Sequence, residues 1–106
     1  MIGENAGPVS LRGEPIEMTA SLPDGRPVRV WVGVPEDSYI ARRELDTVDI
    51  ELSIVDGNHL AALNTVLDAE QVSEARALAR EIVSGLESGK LEPTAAALEP
   101  LADQPR

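Results

Sequence analysis

The sequence predicts an α+β fold: an antiparallel meander of four to five strands with one C-terminal amphipathic helix packed on one face. Three observations point there. Apolar and polar residues alternate strictly from Ile16 and again from Val48, the period of half-buried strands. Asp-Gly pairs at Asp24-Gly25 and Asp56-Gly57 interrupt that alternation at hairpin spacing. After Asp68 the apolar period lengthens to that of a helix.

Residues 1–15, with Gly3, Gly7, Pro8, Gly13 and Pro15, carry the punctuation of an irregular N-terminal arm, within which Val9-Ser10-Leu11 suit a brief edge pairing. The folded domain is expected over residues 16–89. Its first strand sets Ile16, Met18, Ala20 and Leu22 on a dry side and Glu17, Thr19 and Ser21 on a wet one. Pro23-Asp24-Gly25-Arg26 supplies a proline for the first corner of a type I turn and a glycine able to take positive φ after it. The returning strand places Val28, Val30, Val32 and Val34 on one face and Arg29, Trp31 and Gly33 on the other, and Pro35 stops it.

Glu36 to Asp46 fits neither period and reads as a connection or a short strand. Alternation resumes with Val48, Ile50, Leu52 and Ile54 inward and Asp49, Glu51 and Ser53 outward, until Asp56-Gly57-Asn58 turns the chain. His59 to Leu67 is the return arm; Leu60-Ala61-Ala62-Leu63 also suits a helix, and the β-branched Thr65 and Val66 decide for strand.

Asp68-Ala69-Glu70-Gln71 has the form of a helix start, an aspartate to accept free N–H groups and a glutamine three residues on to reach back. The helix is expected from Ala69 to about Glu87. Val72, Ala75, Ala79, Ile82 and Leu86, flanked by Leu78 and Val83, form its apolar stripe. Gly85 and Gly89 offer stops. Residues 90–106 read as an extension in which Thr94 to Leu98 suit a short helix and Asp103 to Arg106 a loose tail.

A chain of 106 residues fits one domain that buries roughly 65% of its unfolded surface, enough to fold without staples. With no phenylalanine, one tryptophan and one tyrosine, Val, Leu, Ile and Ala must fill the core, a palette suited to a sheet under a helix. The lack of cysteine excludes disulfides and thiolate metal sites. No run has membrane-spanning length and Met1 to Asn5 lack the form of a signal peptide, so a cytoplasmic protein is expected. The net charge of −10 repels phosphate and anionic lipid, which excludes ordinary nucleic-acid and membrane binding.

The chemistry is sparse. His59 is the only imidazole and no cysteine can join it, so no metal site is assigned. Asp56-Gly57-Asn58 lacks the further ligands of a calcium loop. Gly85 to Lys90 is one residue short of a phosphate loop and lacks the hydroxyl residue after its lysine. No nucleophile elbow or dinucleotide fingerprint occurs, so no catalytic or cofactor-binding residue is assigned. Glu44, Asp46, Asp49, Glu51 and Asp56 form the densest acidic run; alternating charges of this kind solvate a sheet and keep strand edges apart.

Trp31 is the residue of most interest. Alternation sends its indole away from the valines, between Arg29 and Gly33, onto the face the helix leaves open. A tryptophan beside an arginine is a common interface anchor, and cover from the N-terminal arm or an arginine stem is the competing placement. Trp31, Arg29, Arg42 and Arg43 are therefore the interface candidates. The expected function is a small acidic, non-enzymatic protein-interaction module, most simply a homodimer, with a second copy or another protein as partner. Two rivals stand beside it: an acid-base catalyst or small-ligand binder that uses His59 with Asp49, Glu51 or Arg43 in a pocket between sheet and helix, and an acidic decoy that presents the carboxylate run as one exposed stripe where phosphates would sit.

Overall fold

A computed structural model of the chain describes residues 11, 14–34 and 47–106. Four strands, β1 (Ile16–Ser21), β2 (Pro27–Gly33), β3 (Thr47–Ile54) and β4 (His59–Asp68), form one antiparallel sheet in the order β1-β2-β3-β4. Two helices follow, α1 (Val72–Ser88) and α2 (Ala95–Ala102). The class is the α+β meander that the alternation predicts, with a second helix beside the first. The connection expected at Glu36 to Asp46 lies outside the described residues, as do Val9 and Ser10.

The two hairpins use the same turn. In the first, the Gly25 N–H donates to the Leu22 carbonyl at 2.8 Å and the Leu22 N–H to the Arg26 carbonyl at 2.9 Å. In the second, Gly57 donates to Ile54 and Ile54 to Asn58, both at 2.7 Å. Each is a tight turn followed by a glycine at positive φ, +94° for Gly25 and +119° for Gly57, a conformation that costs an L residue its Cβ contact with the backbone.

Pairing carries the alternation across the sheet. Met18, Val30, Leu52 and Ala61 stand side by side on one face, and Ile16, Val32, Ile50 and Leu63 on the same face one repeat away. Val28, Val30, Val32, Val48, Ile50 and Leu52 are fully buried there. Against them α1 sets Val72, Ala75, Leu78, Ala79, Ile82 and Leu86, lying over β1 and β2, while α2 lies over β4 and buries Leu98 and Ala102. One helix of α1's width covers only part of a four-stranded sheet, so α2 completes the layer. Leu11 is also fully buried, its N–H donating to the Ala69 carbonyl at 2.8 Å.

Three local expectations change. The α1 helix starts at Val72, because β4 runs on through Asp68, which pairs with Thr47. The Gln71 side chain does reach back, accepting the Asp68 N–H at 2.8 Å, but that bond closes a turn, and the Gln71 N-cap has no side-chain partner. Of the two glycines, only Gly89 ends the helix, at φ +80° with its N–H on the Leu86 carbonyl. Gly85 lies within α1, where the chain folds back so closely that an added Cβ would stand 2.8 Å from the Leu91 Cβ. The tail is tied as well: the Arg106 guanidinium pairs with the Glu81 carboxylate and the Gln71 amide donates to the Arg106 carbonyl.

Where β3 and β4 change register between Thr47 and Asp49, the Val48 carbonyl takes the Thr65 hydroxyl at 2.8 Å, and that hydroxyl also accepts the Leu67 N–H at 3.1 Å. Thr65→Val keeps the shape and strands both partners, so it should cost about 1–3 kcal/mol, read as a lower urea midpoint at unchanged m. For Gly85→Ala, the gain of roughly 0.5–1 kcal/mol in helix propensity is outweighed by an overpacking cost of about 1–3 kcal/mol. The expected outcome is a lower melting temperature, where propensity alone would raise it.

Candidate functional site

The face of the sheet opposite the helices is assembled from outward residues of all four strands. Its central row is Glu17, Trp31, Glu51 and Ala62; the next row is Thr19, Arg29, Ser53 and His59, and on the other side Gly33, Asp49 and Asn64 stand together. Trp31 thus sits in the interior strand β2, flanked on both sides by a glutamate. The strict alternation of β2 puts it there, because the flanking Val30 and Val32 are fully buried on the helix side.

The indole is half-buried. Its cover is local: a Cβ placed on Gly33 would meet Trp31 Cη2 at 3.2 Å and Pro15 Cβ at 2.8 Å. The ring therefore reaches along its own strand over Gly33, beside the end of the N-terminal arm. Glycine is required at this position by close approach, since any side chain would occupy the space that Pro15 and the indole share. Arg29 is exposed and makes no ion pair within the described residues. Arg42 and Arg43, the other two interface candidates, lie outside the described residues.

Among the described residues, the face carries the carboxylates of Glu17, Asp49 and Glu51 against the one guanidinium of Arg29. Asp49 is engaged: its Oδ1 accepts from the Asn64 Nδ2 at 2.6 Å, and Asn64 is in turn held by the Thr47 hydroxyl at 2.8 Å. His59, exposed at the start of β4, pairs with Ser53 and so stands four residues along β3 from Asp49, about 13 Å at the strand rise. No hydrogen bond joins it to Asp49 or Glu51 within the described residues. The groups of the acid-base rival thus share a face without forming a matched pair, and its Arg43 lies outside the described residues. Of the acidic run, Asp49 and Glu51 share this face and Asp56 sits in the β3–β4 turn, while Glu44 and Asp46 lie outside the described residues. Because β3 is an interior strand, Asp49 and Glu51 guard no edge. Among the described residues, no three His, Cys, Asp or Glu side chains are grouped to hold a metal ion, and no helix is long and apolar enough to cross a membrane.

A second concavity lies at the end of the molecule, an open cleft of about 240 Å³ between the β1–β2 turn and the α1–α2 link, lined by Leu22, Pro23, Gly89, Leu91 and Pro93 with Asp24, Arg26 and Glu92 at its rim. Its charged pair is already satisfied: Asp24 accepts the Arg26 backbone N–H at 3.1 Å and its Nε at 2.9 Å. These bonds, the backbone one foremost, hold the Asp24 carboxyl below its ordinary range. Sequence reading finds the turn but not the cleft, since the cleft depends on where α1 ends relative to that turn.

No family model matches the chain, and no curated protein or solved structure matches it either.

Gly33→Ala tests the packing of the indole. The added methyl group pushes on the Pro15 backbone, only 3.1 Å away at Cα, and should cost about 1–3 kcal/mol by overpacking. Because Trp31 is the chain's one tryptophan, its emission reports this point alone and should shift to the red as the ring is displaced into water.

Proposed function

We propose that this chain is an acidic, cytoplasmic, non-enzymatic protein-interaction module, in its simplest form a homodimer, that makes its contact through the uncovered face or an edge of its sheet. The observation that carries this reading is the one-sidedness of the fold: α1 and α2 both lie over the valine side, and the opposite side presents a half-buried Trp31 between Glu17 and Glu51. Tryptophan and arginine at the centre of a surface are the residue types that most often anchor protein contacts, and Arg29 and Trp31 stand two residues apart on one strand. Among the described residues, His59 stands about four residues along the sheet from Asp49 and pairs with Ser53, an arrangement that supports binding over acid-base catalysis.

The test is the mass of the protein in solution, by light scattering over a hundredfold dilution series. The expected mass at the concentrated end is twice the 11.3 kDa of one chain, falling towards one chain on dilution. A single-chain mass throughout would remove the homodimer and leave only a foreign partner for the module.

A further inference from the structure

We infer that two copies of this chain join through β4, edge to edge and antiparallel, so that two four-stranded sheets continue as one. The inference rests on the reading above that the chain associates with itself, and of the face and the edges it takes the β4 edge for contact between two copies. The two edges of the sheet are built differently. β1 has 6 residues, carries Glu17, lies under α1, and gives its Ser21 N–H to the Glu87 carboxylate at 3.4 Å. β4 has 10 residues and no charge from Leu60 to Leu67. Among the described residues, no backbone group from Leu60 to Val66 bonds to anything beyond the β3 ladder. Protein edges of this length are ordinarily blunted by charge, proline or a covering segment. Here the strand charges sit on β1, β2 and interior β3, and the long edge has none between its ends. Val66, 48% exposed, stands on it.

Charge also selects the occupant. The chain carries −10, and copies that met over the open face would set Glu17, Asp49 and Glu51 of one against the same three of the other. The neutral strip of β4 lets two copies approach without opposing carboxylates. A two-fold axis normal to the sheet keeps the helices of both copies on one side, and it requires inward residues to pair with inward and outward with outward. The register centred on Asn64 does this. It sets Ala62 against Val66 of the second copy on the open face, and Ala61 against Leu67 on the helix face, small opposite large in both cases. Of the two register shifts of β4 against β3, one falls between His59 and Ala61 and the other between Asn64 and Asp68, so Ala61 to Asn64 is regular and Thr65 to Leu67 carries an irregularity within the paired stretch.

The register makes the test specific. In Ala62→Lys/Val66→Lys each introduced ammonium faces another across the pair, whereas Ala62→Lys/Val66→Glu sets opposite charges there. All four substituted side chains lie on exposed positions, and circular dichroism checks the fold. Light scattering should give a two-chain mass for the wild type, a one-chain mass for the double lysine variant, and a two-chain mass for the lysine-glutamate variant and for Trp31→Ala. Asn64→Cys provides a second measurement in a chain that has no cysteine of its own: at the axis it should form a disulfide-linked dimer on mild oxidation, while Thr19→Cys on β1 should not. The β4 contact is overturned if the double lysine variant stays dimeric, if its lysine-glutamate counterpart is monomeric, or if Asn64→Cys crosslinks no faster than Thr19→Cys. A monomeric Trp31→Ala beside a dimeric double lysine variant would move the contact to the open face and keep the interaction module. A wild type that is one chain at every concentration overturns the β4 contact and the homodimer together, and leaves the module a foreign partner.

Discussion

The structure depends on one constraint: an aromatic-poor chain must bury a sheet of valine, isoleucine and leucine, and it can do so on one side only. Each fully buried aliphatic side chain of this kind contributes about 1.5–3 kcal/mol, and Val28, Val30, Val32, Val48, Ile50 and Leu52 of β2 and β3 are buried completely. Every outward residue is thereby placed as well, because strand side chains alternate without slack. A shift of one residue in any strand would exchange Trp31 with a valine. The register that protects the core is the same register that puts the indole among carboxylates on the opposite face.

Much of this could be read before any coordinates. Ile16 to Ser21, Pro27 to Gly33 and Thr47 to Ile54 announce themselves by alternation, and both hairpins by a glycine that only a positive φ explains. The stripe of α1 is legible for the same reason: Val72, Ala75, Leu78, Ala79, Ile82 and Leu86 are all buried where the helical period puts them. Trp31 on the open face follows from the two valines beside it.

What escaped was set by meetings between distant segments. Asp68 looks like a helix cap, but its pairing with Thr47 keeps it in the strand and moves the helix start to Val72. Gly85 and Gly89 look alike in sequence; the return of Leu91 makes one a point of close contact, and the left-handed backbone makes the other a stop. Leu11 lies in a segment full of glycine and proline, and only its bond to the Ala69 carbonyl draws it into the core. Gly33 reads as a gap in an alternating strand until Pro15 and the indole are seen to need the space.

The sequence by itself determined which residues face inward, where the chain turns, and that thiol and disulfide chemistry has no residue to carry it, since these follow from side-chain period, glycine φ and residue inventory. Only the tertiary structure decided that the sheet ends at β4 among the described residues, and that α1 and α2 share one face. It alone shows that the acidic positions of β3 guard no edge while a strand without charge from Leu60 to Leu67 borders the sheet. Where a sheet stops is a matter of which segments meet across space, and a local pattern of apolar and polar residues is the same for an interior strand and for one at the rim.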